Sequence, residues 1–128
     1  MLNKYIAVLA TAMLAGALGG GAHAADLKKG KKVFNKCKAC HAVDKEKNKV
    51  GPHLVGIFGR KAGTVDGFKY SKAMKESGIE WSAETLTEYL KKPKKYVPGT
   101  KMVFAGIRKD KQIVNLLAFL EEATKKAD

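Results

Sequence analysis

Cys37-Lys38-Ala39-Cys40-His41 is the stretch that decides how the rest of this sequence is read. C-x-x-C-H is an attachment motif for haem c. The chemistry sets the spacing, because two thiols add across vinyl groups on adjacent pyrroles. The histidine after the second cysteine is then brought under the iron as an axial ligand. Other readings of the same letters stay open at this point. A thioredoxin-like pair wants a βαβ setting and a low-pKa thiol at a helix start. Here the pair follows a helical stretch, where the dipole disfavours a thiolate. A zinc site wants a fourth ligand, for which His53 is the one histidine left in the domain and no further cysteine exists. A plain disulfide makes the least demand on the surroundings.

Working outward, Asp26 is a plausible N-cap for a helix through about Lys36. Leu27, Gly30, Phe34 and Cys37 would share one face of it at spacings of three and four. From His41 to Phe68 the chain is rich in glycine, with no alternating β-branched run, and reads as loop. A short helix is expected near Ser71 to Ser77. Ser82 then caps a clearer helix to Lys92, with Leu86, Tyr89 and Leu90 inward and Trp81 placed to staple onto Leu86. Pro93 ends it, and Val97-Pro98-Gly99-Thr100 is a turn-rich stretch. Asp110 opens a last helix in which Ile113, Leu116, Leu117 and Leu120 follow the i, i+3, i+4, i+7 pattern. The expected fold is therefore all-α, with three main helices, a short one and long loops. An irregular span of about 27 residues is unusual inside a compact domain and needs something to pack against. A bulky covalently bound haem, wrapped by those loops, would supply it.

The 128 residues support one domain, or a domain with a targeting segment. Met1 to Lys4 is a short positive start, Tyr5 to Leu18 a mostly apolar run, and Gly19 to Gly21 a break. Ala22-His23-Ala24 then gives the small-x-small pattern of a signal peptidase site. Residues 1–24 are expected to be a cleaved secretory signal peptide, cut after Ala24, and residues 25–128 the folded domain. The apolar run is short for a membrane span, which needs about 20 residues; an uncleaved anchor is the alternative. The formal net charge is +13, and loss of the leader removes Lys4 and no acid, leaving +12. Such a balance calls for a negative partner: nucleic acid, an anionic membrane or an acidic protein face. Nucleic acid ranks last, since the chain carries no recognition motif and an exported protein rarely meets it.

The second axial position separates a carrier from an enzyme. Beyond the leader only Met74 and Met102 offer thioethers. Met74 sits in the short helix and reads as core. Met102 follows Pro98-Gly99-Thr100-Lys101 in a constrained loop with no helical face. A soft thioether facing an imidazole favours ferrous iron and raises the potential. With both axial positions filled no substrate site stays open, and little reorganisation accompanies a change of charge.

Across residues 26 to 126 the chain resembles the class I c-type cytochromes, closely the mitochondrial-type and small soluble bacterial ones. The likeness rests on Gly30 and Phe34, Cys37 to His41, Gly51-Pro52, Gly59-Arg60, Tyr70 and Trp81. Most specific is Pro93-Lys94-Lys95-Tyr96-Val97-Pro98-Gly99-Thr100-Lys101-Met102. The resemblance implies one haem c held through Cys37 and Cys40, with His41 and Met102 as axial ligands. It implies that the Pro52 carbonyl accepts the His41 Nδ1 proton, a bond that fixes ring and tautomer. Tyr70 and Trp81 would hydrogen-bond a buried propionate, with Arg60 offsetting its charge. Tyr89 would lie near the Met102 sulfur, Thr100 near the propionate, and Gly30 would let the terminal helices cross closely against Phe119.

The implied function is soluble one-electron transport, not catalysis, by a monomer. It would run in the periplasm, in a respiratory or photosynthetic chain, between a quinol–cytochrome c oxidoreductase and a terminal oxidase, reductase or reaction centre. Lys36, Lys49, Lys94, Lys95 and Lys101 would ring the exposed haem edge and steer it onto acidic docking faces. Residues 91 to 111 hold eight basic groups against Asp110 alone. Two departures stand out. Only Asn35 and Lys36 separate Phe34 from Cys37, where mitochondrial members have three residues, which together with the leader favours a bacterial origin. Met74 and His53 stand where the family usually has amides, so the water arrangement beside the haem is open and His53 has no assigned role.

Overall fold

The computed structural model describes residues 25–127, so the leader assigned to residues 1–24 and its cut after Ala24 lie outside the described residues. The elements are α1 (Leu27–Phe34), α2 (Lys72–Glu76), α3 (Ala83–Lys91), α4 (Pro93–Tyr96) and α5 (Asp110–Ala123). No strand forms among the described residues. Two isolated bridges, His41 with Asn48 and Lys61 with Glu80, are the only sheet-like pairings there. The fold is all-α.

Local chemistry accounts for the helix starts. The Asp26 side chain accepts from the Lys29 backbone N–H at 3.0 Å and opens α1. Ser71 does the same for α2, accepting from Met74 N–H at 3.0 Å. At α3 a full capping box forms: Ser82 accepts from Thr85 N–H at 3.1 Å, and Thr85 accepts from Ser82 N–H at 2.8 Å. Pro93 does end α3, but it also begins the four-residue α4, for which the sequence suggested no element. A proline tolerates the first helical position because its missing N–H would be unpaired there anyway.

The terminal helices carry the fold. Gly30 faces the Asn115 backbone of α5 so closely that a side chain could not fit, since a Cβ would overlap the Asn115 carbonyl oxygen and come 2.9 Å from Phe119 Cβ. Phe34 and Phe119 then stack at a tilt, ring centroids 5.4 Å apart. The buried Asn115 side chain accepts from the Asp26 N–H at 2.9 Å, tying the two ends of the domain together. On α1 the buried face is Gly30, Val33 and Phe34, while Leu27 stays 49% exposed. Leu27 was expected inward, but it sits in the first turn and Val33 takes the place. On α5 the expected Ile113, Leu116, Leu117 and Leu120 are all buried.

One core joins these helices to α3 and the loops, and includes Ile57, Ala62, Met74, Trp81, Val97 and Ile107. The segment between residues 41 and 70 is indeed without regular helix or strand. It is held by backbone bonds to distant residues. Gly56 N–H reaches Thr124 O at 2.6 Å, Gly59 N–H reaches Trp81 O at 2.7 Å, and Trp81 N–H returns to Arg60 O at 2.9 Å. Those bonds answer where an irregular segment's polar backbone goes.

Candidate cofactor site

The chain closes around a cleft of about 430 Å³, within the range of small-molecule and cofactor sites. Cys37, Cys40, His41 and Met102 all border it. After α1 the backbone continues in tight turns, Cys37 N–H to Phe34 O at 2.7 Å and His41 N–H to Cys37 O at 3.0 Å, which carry both cysteines to the cleft mouth. The two form no disulfide with each other, and both are half-buried. Burial, with a smaller contribution from Cys40, pushes the Cys37 thiol up to about 11. A thiol of that kind is a poor redox nucleophile, which disfavours the thioredoxin-like reading. Among the described residues no three His, Cys, Asp or Glu side chains converge, which disfavours zinc.

His41 has one well-defined orientation. Its Nδ1 lies 2.7 Å from the Pro52 carbonyl oxygen, which can only accept, so Nδ1 carries the proton and the Nε2 lone pair is free. Burial first, then Arg60 and Lys49, lower its pKa against the raising effect of the Pro52 bond, so the ring is neutral. Gly51 makes room for it: a Cβ there would run into the ring, 2.9 Å from each nitrogen.

Met102 comes from the other end of the domain, on the segment between α4 and α5. Thr100 precedes it and pairs with the Tyr89 hydroxyl at 2.7 Å, while Met102 N–H reaches toward Thr100 Oγ1 at 3.4 Å. Lys101 Nζ donates to Lys69 O at 3.0 Å and ties this segment to the chain leading into α2. Tyr89 also packs against Trp81, centroids 5.1 Å apart. The Thr100 hydroxyl is thus engaged by Tyr89.

One region of the cleft is built for an anion. Arg60 borders it, half-buried, with a 3.3 Å bond from Nη1 to Val55 O and no carboxylate partner among the described residues. Burial lowers its pKa, with Tyr70 opposing. Trp81 is buried, yet its indole N–H has no acceptor among the described residues and opens into the cleft. The Tyr70 hydroxyl accepts from Val65 N–H at 3.1 Å, which leaves its own proton to donate. A guanidinium, an indole N–H and a phenol thus border the same cleft, which fits a carboxylate-bearing group. Two thiols, an imidazole lone pair and a thioether border the same cleft, a set whose chemistry fits haem c.

Every haem-pocket residue named from the sequence borders this one cleft, including Pro52, Arg60, Tyr70, Trp81, Tyr89 and Thr100. Of the lysines, Lys36 and Lys101 border it too. Lys49 reaches over the attachment loop, its Nζ 2.8 Å from Lys38 O. Lys94 and Lys95 are exposed on α4, away from the cleft lining. Sequence reasoning missed Val50, Phe68, Val103 and Phe104, which border the cleft as well. Val103 is 95% and Val50 79% exposed, so both stand on its rim. The signal was present in Val103-Phe104, an apolar pair directly after Met102 in a loop with no helical face.

Comparison with known proteins agrees with this geometry. The cytochrome c family model matches residues 27–124. Cytochrome c of Stellaria longipes is 52% identical over 102 residues, covering 78% of this chain and 94% of the relative. Cytochrome c-550 of Nitrobacter winogradskyi is 54% identical over 101 residues, covering 78% and 93%. Among solved structures, cytochrome cH from Methylobacterium extorquens superposes with a TM-score of 0.72 at 48% identity, covering 76% of this chain and 98% of that one. A free imidazole nitrogen and two thiols in an anion-ready cleft, on a chain with relatives this similar over nearly their whole lengths, lead to one assignment: the chain belongs to the cytochrome c family, electron-transfer proteins that hold one covalent haem c.

Proposed function

We propose that this electron carrier holds its haem iron between His41 Nε2 and the Met102 thioether, with Cys37 and Cys40 as the covalent anchors. The observation that carries this reading is the unpaired Nε2 of His41 in the same cleft as Met102. When bound, the haem supplies a one-electron couple. The chain's own residues do the rest. The Pro52 carbonyl fixes the His41 ring, and the Tyr89–Thr100 pair at 2.7 Å supports the segment that bears Met102. Arg60, Tyr70 and Trp81 hold the buried carboxylate, which would otherwise cost several kcal/mol unpaired.

The carrier is exported, loses residues 1–24 after Ala24 and works in the periplasm as a monomer. This rests on the positive start, apolar run and Ala22-His23-Ala24 site. Among the described residues no helix is long and apolar enough to cross a membrane. Its partners are membrane redox complexes, a quinol–cytochrome c oxidoreductase on one side and an oxidase, reductase or reaction centre on the other. Docking uses Val50 and Val103 as the apolar centre, with Lys36, Lys49 and Lys101 nearest and Lys94 and Lys95 farther out. Charge of this kind sets association rate more than final affinity.

Met102→Ala is the deciding experiment. It is expected to abolish the methionine–iron charge-transfer band, lower the potential and admit carbon monoxide rapidly to the reduced protein. The unaltered protein is expected to exclude carbon monoxide on that timescale. An unchanged band and potential in Met102→Ala would remove Met102 from the iron.

A further inference from the structure

His53 is left unused by everything above, and its surroundings are specific. Its backbone N–H donates to Asn48 Oδ1 at 3.0 Å, and its ring Nδ1 accepts from Val55 N–H at 3.2 Å. The ring therefore carries its neutral-form proton on Nε2. The carbonyl of the same Val55 receives Arg60 Nη1 at 3.3 Å. His53 borders a second cleft, of about 840 Å³, and Arg60 borders both this cleft and the cofactor cleft. The other charged groups around the second cleft are Glu46, Asp66, Glu121, Lys125 and Lys126. Glu46 and Lys126 pair loosely at 3.9 Å with both side chains mostly exposed, so neither is committed to the other.

We propose that His53 is a redox-linked proton site: an electron arriving in the cofactor cleft draws a proton from solvent onto His53, because Arg60 and Val55 connect the two clefts. The inference rests on a one-electron cofactor beside Arg60 and not on which side chains ligate it. A satisfied turn histidine would be the ordinary reading of the Val55 bond alone. Sharing of Arg60 between the clefts is what takes His53 beyond it. Protonation at Nδ1 gives up the Val55 N–H bond and sets a positive ring toward Arg60. Added negative charge in the cofactor cleft offsets the Arg60 field and eases that repulsion. The balance is simple: the donor supplies one electron, solvent supplies the proton, and only a hydrogen bond is broken.

The sign follows from the same groups. Burial first and then Arg60 lower the His53 pKa from its ordinary 6.5, with Lys126 adding to this and Glu46 opposing. The exchange therefore falls below pH 6.5. Because the reduced state binds the proton more tightly, the potential rises as pH falls through that window.

The test is a proton NMR titration of the His53 ring in the native haem-bearing protein, in both oxidation states. The expected result is a proton affinity at least about twofold higher in the reduced state, the effect of one nearby charge. Equal affinities, or a ring that does not titrate above pH 4, would overturn the proposal. His53→Asn is expected to flatten the dependence of potential on pH below 6.5, and a retained slope would assign that dependence to another group and overturn it too. Glu46→Gln removes a carboxylate that favours the protonated ring, so the slope is expected to move to lower pH. An unmoved slope refutes the site as drawn.

Discussion

Replacing Gly30 with alanine sets two known effects against each other. In an exposed helix the change stabilises by about 1 kcal/mol, through backbone entropy. In α1 the new Cβ would stand 2.7 Å from the Asn115 carbonyl carbon and 2.9 Å from Phe119 Cβ, with the Asn115 oxygen closer still. Two of those atoms are backbone of α5 and cannot rotate away, so the helices must separate by roughly 1 Å, a gap that forfeits a quarter to a half of each contact's attraction. The Phe34–Phe119 stack and the 2.9 Å bond from Asp26 N–H to Asn115 span that crossing and weaken together. Overpacking of this kind costs about 1–3 kcal/mol. With rigid neighbours the upper end applies, and subtracting the propensity gain leaves a net loss of about 2 kcal/mol. For a domain of this size that lowers Tm by on the order of 10 °C. Urea unfolding of the haem-bearing protein, followed by far-UV circular dichroism, measures it. Lys29→Ala, exposed on the same helix, serves as control and should stay within about 0.5 kcal/mol. A Gly30→Ala midpoint at or above that of the parent would refute the close crossing.

Other perturbations test separate parts of the structure. Ser82→Ala dismantles the α3 capping box and is expected to cost about 1 kcal/mol in the same unfolding assay. Asp26 has a pKa below its ordinary 3.8, chiefly through the Lys29 backbone bond. Its contribution is therefore present above pH 3.8 and lost as pH falls through the lower folded value, and Asp26→Asn, which still caps, should flatten that part of the acid unfolding curve. Neutralising Lys36 or Lys101 should slow association with a membrane oxidase by about threefold at low salt, and Lys94 or Lys95 by less. Stopped-flow rates at ~1 M salt, where the Debye length is ~3 Å, should make all four alike.

How much of this could be read in advance depended on whether the information was local. Cys37, Cys40 and His41 were legible because the chemistry of attachment fixes their spacing. The starts of α3 and α5 were legible from Ser82 and from the Ile113–Leu120 spacing, each complete within a few residues. The path of residues 41–70 was not, because what holds it is distant: Gly56 to Thr124, Gly59 to Trp81, Ala62 N–H to Ile79 O at 2.8 Å. No periodicity encodes a bond between a loop and a helix end more than sixty residues away. α4 was missed for another reason, since Pro93 reads equally as a stop for α3 and as a start. Asn115 was overlooked although a lone amide beside the apolar face of α5 was visible in the sequence, and it proves to be the link to Asp26.

The residues that shape the cleft are largely the residues of the core. Phe34, Ile57, Met74, Trp81, Leu86, Tyr89, Leu116 and Leu120 belong to the single hydrophobic cluster and also border the cofactor cleft. Apart from Ile57, Met74 and Trp81, these side chains lie on α1, α3 and α5, so the helices that build the fold are the ones that face the cofactor. A group bound there stabilises the folded chain by its preference for that state over the unfolded one, and the covalent anchoring proposed for Cys37 and Cys40 would keep it present at unit stoichiometry. Substitutions in the cleft wall therefore have two readouts that need not move together. Tyr89→Phe would leave the Thr100 hydroxyl without its 2.7 Å partner and disturb the Met102 segment, while keeping the ring packed 5.1 Å from Trp81. Leu116→Ala would open the core at a position only 1% exposed, at about 2–5 kcal/mol, without touching either proposed axial ligand. A larger change in potential for Tyr89→Phe and a larger change in stability for Leu116→Ala separate the two roles. The reverse pattern would mean that the potential follows packing, and that the polar support of the Met102 segment is secondary.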